Sequence, residues 1–155
     1  MTFSLVARCA KTGMFGIAIS SSSPAVAARC SYARAKVGAV ASQNVTDPTL
    51  GPLALDLMQT GLSAAQTIQD IKSIGKFIEY RQVLVIDNEG LTSIHSGPNS
   101  LGIWTQAEGK DVAAGGNLLA NDRVPQAIVD GFISSDGHIG DRLIAAMRSG
   151  LAAGG

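Results

Sequence analysis

The tightest constraint on the fold is a period-two alternation that runs through the N-terminus twice. From Thr2 to Arg8, the residues Phe3, Leu5 and Ala7 alternate with Thr2, Ser4, Val6 and Arg8. From Met14 to Ser20, Phe15, Ile17 and Ile19 alternate with Met14, Gly16, Ala18 and Ser20. Such a pattern suits a strand with two unlike faces, because successive side chains leave the pleat on opposite sides. Between the two runs, Cys9-Ala10-Lys11-Thr12-Gly13 offers a glycine for the positive-φ position of a longer hairpin loop. A loop of those five residues sets Arg8 opposite Met14, Val6 opposite Gly16, Ser4 opposite Ala18 and Thr2 opposite Ser20. Directly opposed residues share a face, with Cβ atoms about 5 Å apart. The expectation is a core wall of Phe3, Leu5, Phe15, Ile17 and Ile19, and behind it a small hydroxylated face with Thr2 and Ser20 at its open end.

A threonine at the second position has chemical potential. Once Met1 is removed, Thr2 carries a hydroxyl nucleophile and a free α-amine, and that amine titrates near pH 8, so part of it is neutral at pH 7. The plainer reading is that Thr2 only begins an edge strand, and the pattern alone allows both.

At 155 residues the chain suits one domain, residues 1–155, long enough to bury a core. Only 15% of residues are charged, 46% are hydrophobic and 18 are glycine, which favours small-residue strands joined by tight turns. Net charge is zero and no basic cluster occurs, so a nucleic-acid partner is not expected. No apolar run reaches membrane-spanning length and no signal-like start is seen, so neither a membrane association nor secretion is expected. Cys9 and Cys30 lack CxxC spacing or a histidine partner, so no disulfide framework or metal site is expected. The expectation is a cytoplasmic protein without cofactors.

Further along, Lys36 to Ser42 is too short and too rich in Gly and Val for a helix, and fits a strand buried on both faces. Gln43, Asn44 and Thr46 follow, either converging on a pocket or forming the turn before Asp47-Pro48. Two helices come next. Pro52 suits a first turn with Leu53, Leu57 and Met58 inward, ending at Gly61; Ser63 and Gln66 then form a capping box ahead of Ile68, Ile71 and Ile74. Tyr80 to Asp87 and Leu91 to His95 read as a hairpin around Asn88-Glu89-Gly90. Ile103 to Gln106 and Val112 to Ala114 add two strands, the second running into Gly115-Gly116-Asn117, where backbone can approach a ligand. A helix with Pro125 near its start and another from Ile139 to Ser149, ended by Gly150, complete the chain. Two face-to-face sheets with a helix pair outside each would bury every apolar face in this order.

That order resembles the N-terminal-nucleophile (Ntn) hydrolase architecture. More closely, the chain resembles the Ntn-hydrolase-like family known as domain of unknown function 1028. The resemblance lies in Thr2–Arg8, Gly16–Ser21, Ala33–Gln43, Gly51–Met58, Tyr80–Val83 and Gly116–Ala120, and covers essentially the whole chain. It implies an α+β fold, a four-layer αββα sandwich, with further strands beyond Gly155 that this chain lacks. By analogy it implies amide hydrolysis on an unidentified small-molecule amide substrate. In that reading Thr2 attacks, Ser20 or Ser21 orients the amine, Arg34 or Lys36 favours its neutral form by like-charge repulsion, and Asn117 or the Gly115 and Gly116 amides hold the oxyanion. Lys36 stands where relatives tend to have glycine. Two other expectations stand beside this one. The chain is one half of a self-processed heterodimer whose nucleophile begins a partner cut after Gly155, or it is a binding and assembly module that keeps the fold without the chemistry. An incomplete sheet would leave an edge to be paired, in a homo-oligomer or with a cleavage fragment.

Overall fold

The N-terminal alternation folds as a hairpin, but its register is one residue away from the one the loop length suggested. In the computed structural model, which describes residues 1–155, β1 (Thr2–Arg8) pairs with β2 (Phe15–Ser21) so that Thr2 lies opposite Ser21, Ser4 opposite Ile19 and Arg8 opposite Phe15. The loop is shorter than expected. Cys9 N–H donates to Met14 C=O at 2.8 Å and so closes the ladder one step later, while Gly13, at φ +71°, donates back to Cys9 C=O at 2.8 Å. Because the side-chain period is two, a one-residue slip exchanges the faces of the whole second strand. Ser20 therefore shares a face with Phe3, and Ser21 takes the position expected of Ser20.

Neither face of β1 is a solvent face. Phe3, Leu5 and Ala7 pack under two C-terminal helices, whereas Val6, with Phe15 and Ile17 of β2, packs against a second sheet. The expected single apolar wall is split between two cores, and Phe15, Ile17 and Ile19 are half-buried rather than fully enclosed.

The remaining elements are α1 (Ala27–Cys30), β3 (Ser31–Arg34), β4 (Gly38–Gln43), α2 (Leu50–Gln59), α3 (Ala64–Ile74), β5 (Gln82–Asp87), β6 (Thr92–Ser96), β7 (Ile103–Gly109), β8 (Val112–Leu119), α4 (Val124–Ile133) and α5 (Ile139–Ala152). The fold is mixed α+β, with five helices and two antiparallel sheets ordered β2-β1-β8-β7 and β3-β4-β5-β6. No helix is long and apolar enough to cross a membrane. One core joins β1 and β8 to α4 and α5 through Leu5, Ala114, Ile128, Phe132 and Ala146. Another joins β4 and β5 to α2 and α3 through Val40, Val83, Ala54, Met58, Ile68 and Ile71. The third lies between the sheets and is built from Val6, Ala39, Ala41, Leu84, Ile86 and Ala113.

Several local expectations hold. All six residues of β4 are buried, the Ser63–Gln66 capping box opens α3, and Pro125 sits in the first turn of α4. Gly150 does not end α5. A Cβ there would lie 2.5 Å from Ile128 Cγ1, so this glycine lets α5 approach α4, and the helix runs on to Ala152 before Gly154 turns the chain at φ +109°.

Carboxamides clamp the two sheets together at one end. Gln43 Nε2 donates to Gln82 Oε1 at 2.7 Å and to Gly115 C=O at 3.2 Å, and Gln43 Oε1 accepts from Ser4 Oγ at 2.7 Å. Gln82 Nε2 donates to Ser96 Oγ at 2.9 Å and to the Thr105 and Gly116 carbonyls at 3.3 Å, while its Oε1 also accepts from Asn117 Nδ2 at 3.3 Å. Both glutamines are fully enclosed. Buried amides survive only when satisfied, and here every arm of both side chains has a partner.

Two stability outcomes follow from this packing. Leu5→Ala should cost about 2–5 kcal/mol by opening a cavity under α4 and α5, whereas Ile144→Ala, at a residue 56% exposed, should stay within about 0.5 kcal/mol. Gln82→Leu should cost at least about 2 kcal/mol, because Gln43 and Asn117 would lose a buried acceptor. Chemical denaturation measures all three, and a neutral Gln82→Leu would contradict the clamp.

Candidate functional site

Thr2 begins a central strand, so it has a neighbour on each side: Ser21 on β2 and Asn117 on β8. Directly opposed residues of an antiparallel pair have Cα atoms roughly 4.5–5.5 Å apart, which brings three side chains of chemical interest onto one short line. Thr2 Oγ1 and Ser21 Oγ are hydrogen-bonded at 2.8 Å, and Ser21 Oγ also accepts from Ser23 N–H at 3.1 Å. Asn117 is buried and its Nδ2 is held by Gln82. The amine of Met1 donates to Ser22 Oγ at 3.2 Å.

These groups open into a cleft of about 370 Å³. Its floor is Thr2, Ser21, Gln43 and Asn117, its walls include Ser22, Ser23, Arg29 and Cys30, and its rim is Asn44, Val45, Thr46, Leu101 and Leu118. Three rim residues are non-glycines in the left-handed region: Asn44 at φ +57°, Val45 at +46° and Leu118 at +52°. A β-branched residue there is strained, and such strain persists only where the surroundings impose it. Contacts hold Asn44 and Leu118 in place. Asn44 Nδ2 donates to Tyr80 C=O at 2.5 Å, its Oδ1 accepts from Leu101 N–H at 3.1 Å, and Leu118 N–H donates to Leu101 C=O at 2.8 Å. Beyond the rim, Asp47 is kept below the usual carboxylate range chiefly by the hydroxyl of Thr49 at 2.6 Å.

The structure brings together Thr2, Ser21 and Asn117 from the expected set and leaves the rest apart. Ser20 points to the other side of the sheet, into an apolar groove with Phe3, Ala18 and Met147, because of the register shift. Arg34 lies opposite Gly38, five strand positions and roughly 16 Å from the Gln43 end of the sheet. It reaches Asp56 at 2.9 Å and Gln59 instead, as an exposed surface pair. Lys36 occupies the β3–β4 turn at φ +64° and borders Gly13 and Met14 at that same far end. Gly115 and Gly116 lie inside the ladder, flanked by β1 and β7, rather than in an open loop. Of the open readings, Gln43, Asn44 and Thr46 do converge on the cleft, Gln43 as part of the clamp.

Arg29 was missed. It sits on α1, a single helical turn too short to carry a periodic signal, and only the fold brings it to the cleft. Its Nη1 donates to Pro24 C=O at 2.8 Å and Ala25 C=O at 3.3 Å, and its Nη2 to Ser23 Oγ at 2.5 Å.

A family of unknown function, DUF1028, matches residues 2–155. The chain is similar to a protein of that same family from Silicibacter pomeroyi, known from its crystal structure. The two share 26% identity at a TM-score of 0.95, over 99% of this chain and 69% of the other. Comparison with curated proteins finds no match. With its whole length from Thr2 onward matched, the chain belongs to the DUF1028 family.

Proposed function

We propose that this chain is an N-terminal-nucleophile-type amidohydrolase built on a four-layer αββα sandwich, with Thr2 as nucleophile. The observation that carries the reading is the line Ser21–Thr2–Asn117 at the floor of the cleft, with the Thr2 hydroxyl already hydrogen-bonded and an amide donor on the neighbouring strand. The analogy with Ntn hydrolases supplies the reaction class, and the residues present supply its parts.

The mechanism needs Met1 removed. Thr2 Oγ1 attacks the amide carbon while its proton passes to the neutral α-amine, directly or through Ser21. The carbonyl oxygen becomes an oxyanion that an N–H of Asn117 Nδ2 stabilises. Collapse breaks the C–N bond, and the ammonium returns its proton to the leaving amine. Water then attacks the Thr2 ester with the amine again as base, releasing the acid and restoring the hydroxyl. Arg34 and Lys36 lie at the far end of the sheet and do not act on the amine.

Thr2→Ala should abolish turnover with the fold intact, and Thr2→Ser should keep a measurable fraction of it. Protein with Met1 retained should be as inactive as Thr2→Ala, because an amide nitrogen accepts no proton. Asn117→Ala should lower kcat by about 10²–10³. The rate should rise with pH through the usual α-amine range, about 8, since only the neutral amine is a base. Screening Met1-free protein against an amide library, with hydrolysis followed by mass spectrometry, checks each outcome. Undiminished hydrolysis by Thr2→Ala would move the nucleophile elsewhere.

A further inference from the structure

The cleft is lopsided in charge. No aspartate or glutamate lines it, and its charged groups are the Arg29 guanidinium and the Met1 amine. No carboxylate of the chain lies within ion-pair distance of Arg29, as for most of the chain's cations. Nor is Arg29 a loosely solvated surface cation. Three of its five N–H groups are fixed on Pro24, Ala25 and Ser23, which orients the guanidinium and leaves two N–H groups free. A guanidinium held in place before any ligand arrives loses little further entropy on binding, and a planar pair of donors matches a carboxylate. Around it the cleft offers neutral hydroxyls, from Ser22 and Thr46, that can complete the coordination of an anionic oxygen.

We infer that Arg29 receives a carboxylate, so that the substrate class is a carboxylate-bearing amide such as an N-acyl amino acid. The amide part of this inference rests on the reading of Thr2 as nucleophile; the carboxylate part rests on Arg29 and the absence of acidic groups around it. The planar pair of free N–H groups is what favours a carboxylate.

Binding to the full-length Thr2→Ala protein separates recognition from chemistry. N-acetylalanine and its neutral N-methylamide are titrated in turn, with backbone amide shifts recorded by NMR. N-acetylalanine should move the resonances of Ser22, Thr46 and their neighbours, and bind about tenfold or more tightly than the methylamide. Arg29→Gln should erase that preference, and Arg29→Lys should keep part of it, because charge survives without the planar fork. Equal affinity for the two probes, an Arg29→Gln variant with unchanged preference, or no binding of either would overturn the inference. Carboxylate-selective binding in a protein whose wild type hydrolyses no amide would sink the nucleophile and leave the carboxylate site standing.

Discussion

The rest of the structure depends on two buried carboxamides, Gln43 ending β4 and Gln82 opening β5, which bond each other at 2.7 Å and reach across to Ser4, Gly115, Gly116 and Asn117 of the other sheet. Between the sheets, Ala39, Ala41 and Ala113 meet the larger Val6, Leu84 and Ile86, and at Gly115 there is no side chain at all. A Cβ on Gly115 would come within 3.2 Å of Leu84 and 3.3 Å of Gln82. So close an approach leaves no room for water, and any polar group there must find its partner in the protein. A half-satisfied amide in such a place costs about 1–3 kcal/mol, which makes the arrangement nearly all-or-none. Ser4, Gly115, Gly116 and Asn117 all hang on these two side chains, so the clamp fixes β1 and β8 in height relative to the second sheet.

That fixed height is what makes a site of the strand ends. Thr2, Ser21 and Asn117 are neighbours by ladder geometry rather than by loop conformation, which is the more rigid way to hold reacting groups. The loops contribute differently. The strained backbone at Asn44, Val45 and Leu118 and the anchored guanidinium of Arg29 shape the opening above a floor that the sheet has already set. At the opposite end of β1, Arg8, Lys11, Lys110 and Arg142 line another cleft, around Cys9, whose thiol is held below its usual range first by the Thr12 hydroxyl. Asp111 and Asp136 line that cleft as well, so the two ends of one strand carry unlike environments, hydroxyl and amide at one, mixed charge and a thiol at the other.

What could be read from the residues followed from periodicity, and what could not followed from loops. The alternation in β1, the doubly buried β4, the Ser63–Gln66 cap and the Pro125 helix start are all local signals, and all are present. The hairpin register was not local information. It turned on whether Cys9 belongs to the loop or to the ladder, and one residue of difference exchanged Ser20 for Ser21. Gly150 misled because a glycine that ends a helix and one that admits a neighbouring helix look the same in a sequence. Arg34 and Lys36 fall outside the site for a reason of strand direction. The sheet does bring β4 there, but by its Gln43 end, and the two cations sit at the other. Arg29 could not have been chosen, since nothing along the chain links it to Thr2 except the fold.

The central claim is that the Thr2 hydroxyl, freed at its amine, is the reactive group of the cleft. Covalent labelling tests it without knowledge of the substrate. Met1-free protein is incubated with a β-lactone, an electrophile that acylates hydroxyl nucleophiles, and the adduct is located by peptide mass spectrometry. The account predicts one adduct per chain on Thr2, absent from Thr2→Ala and from protein that retains Met1. A label on another residue, or equal labelling with Met1 in place, would contradict it.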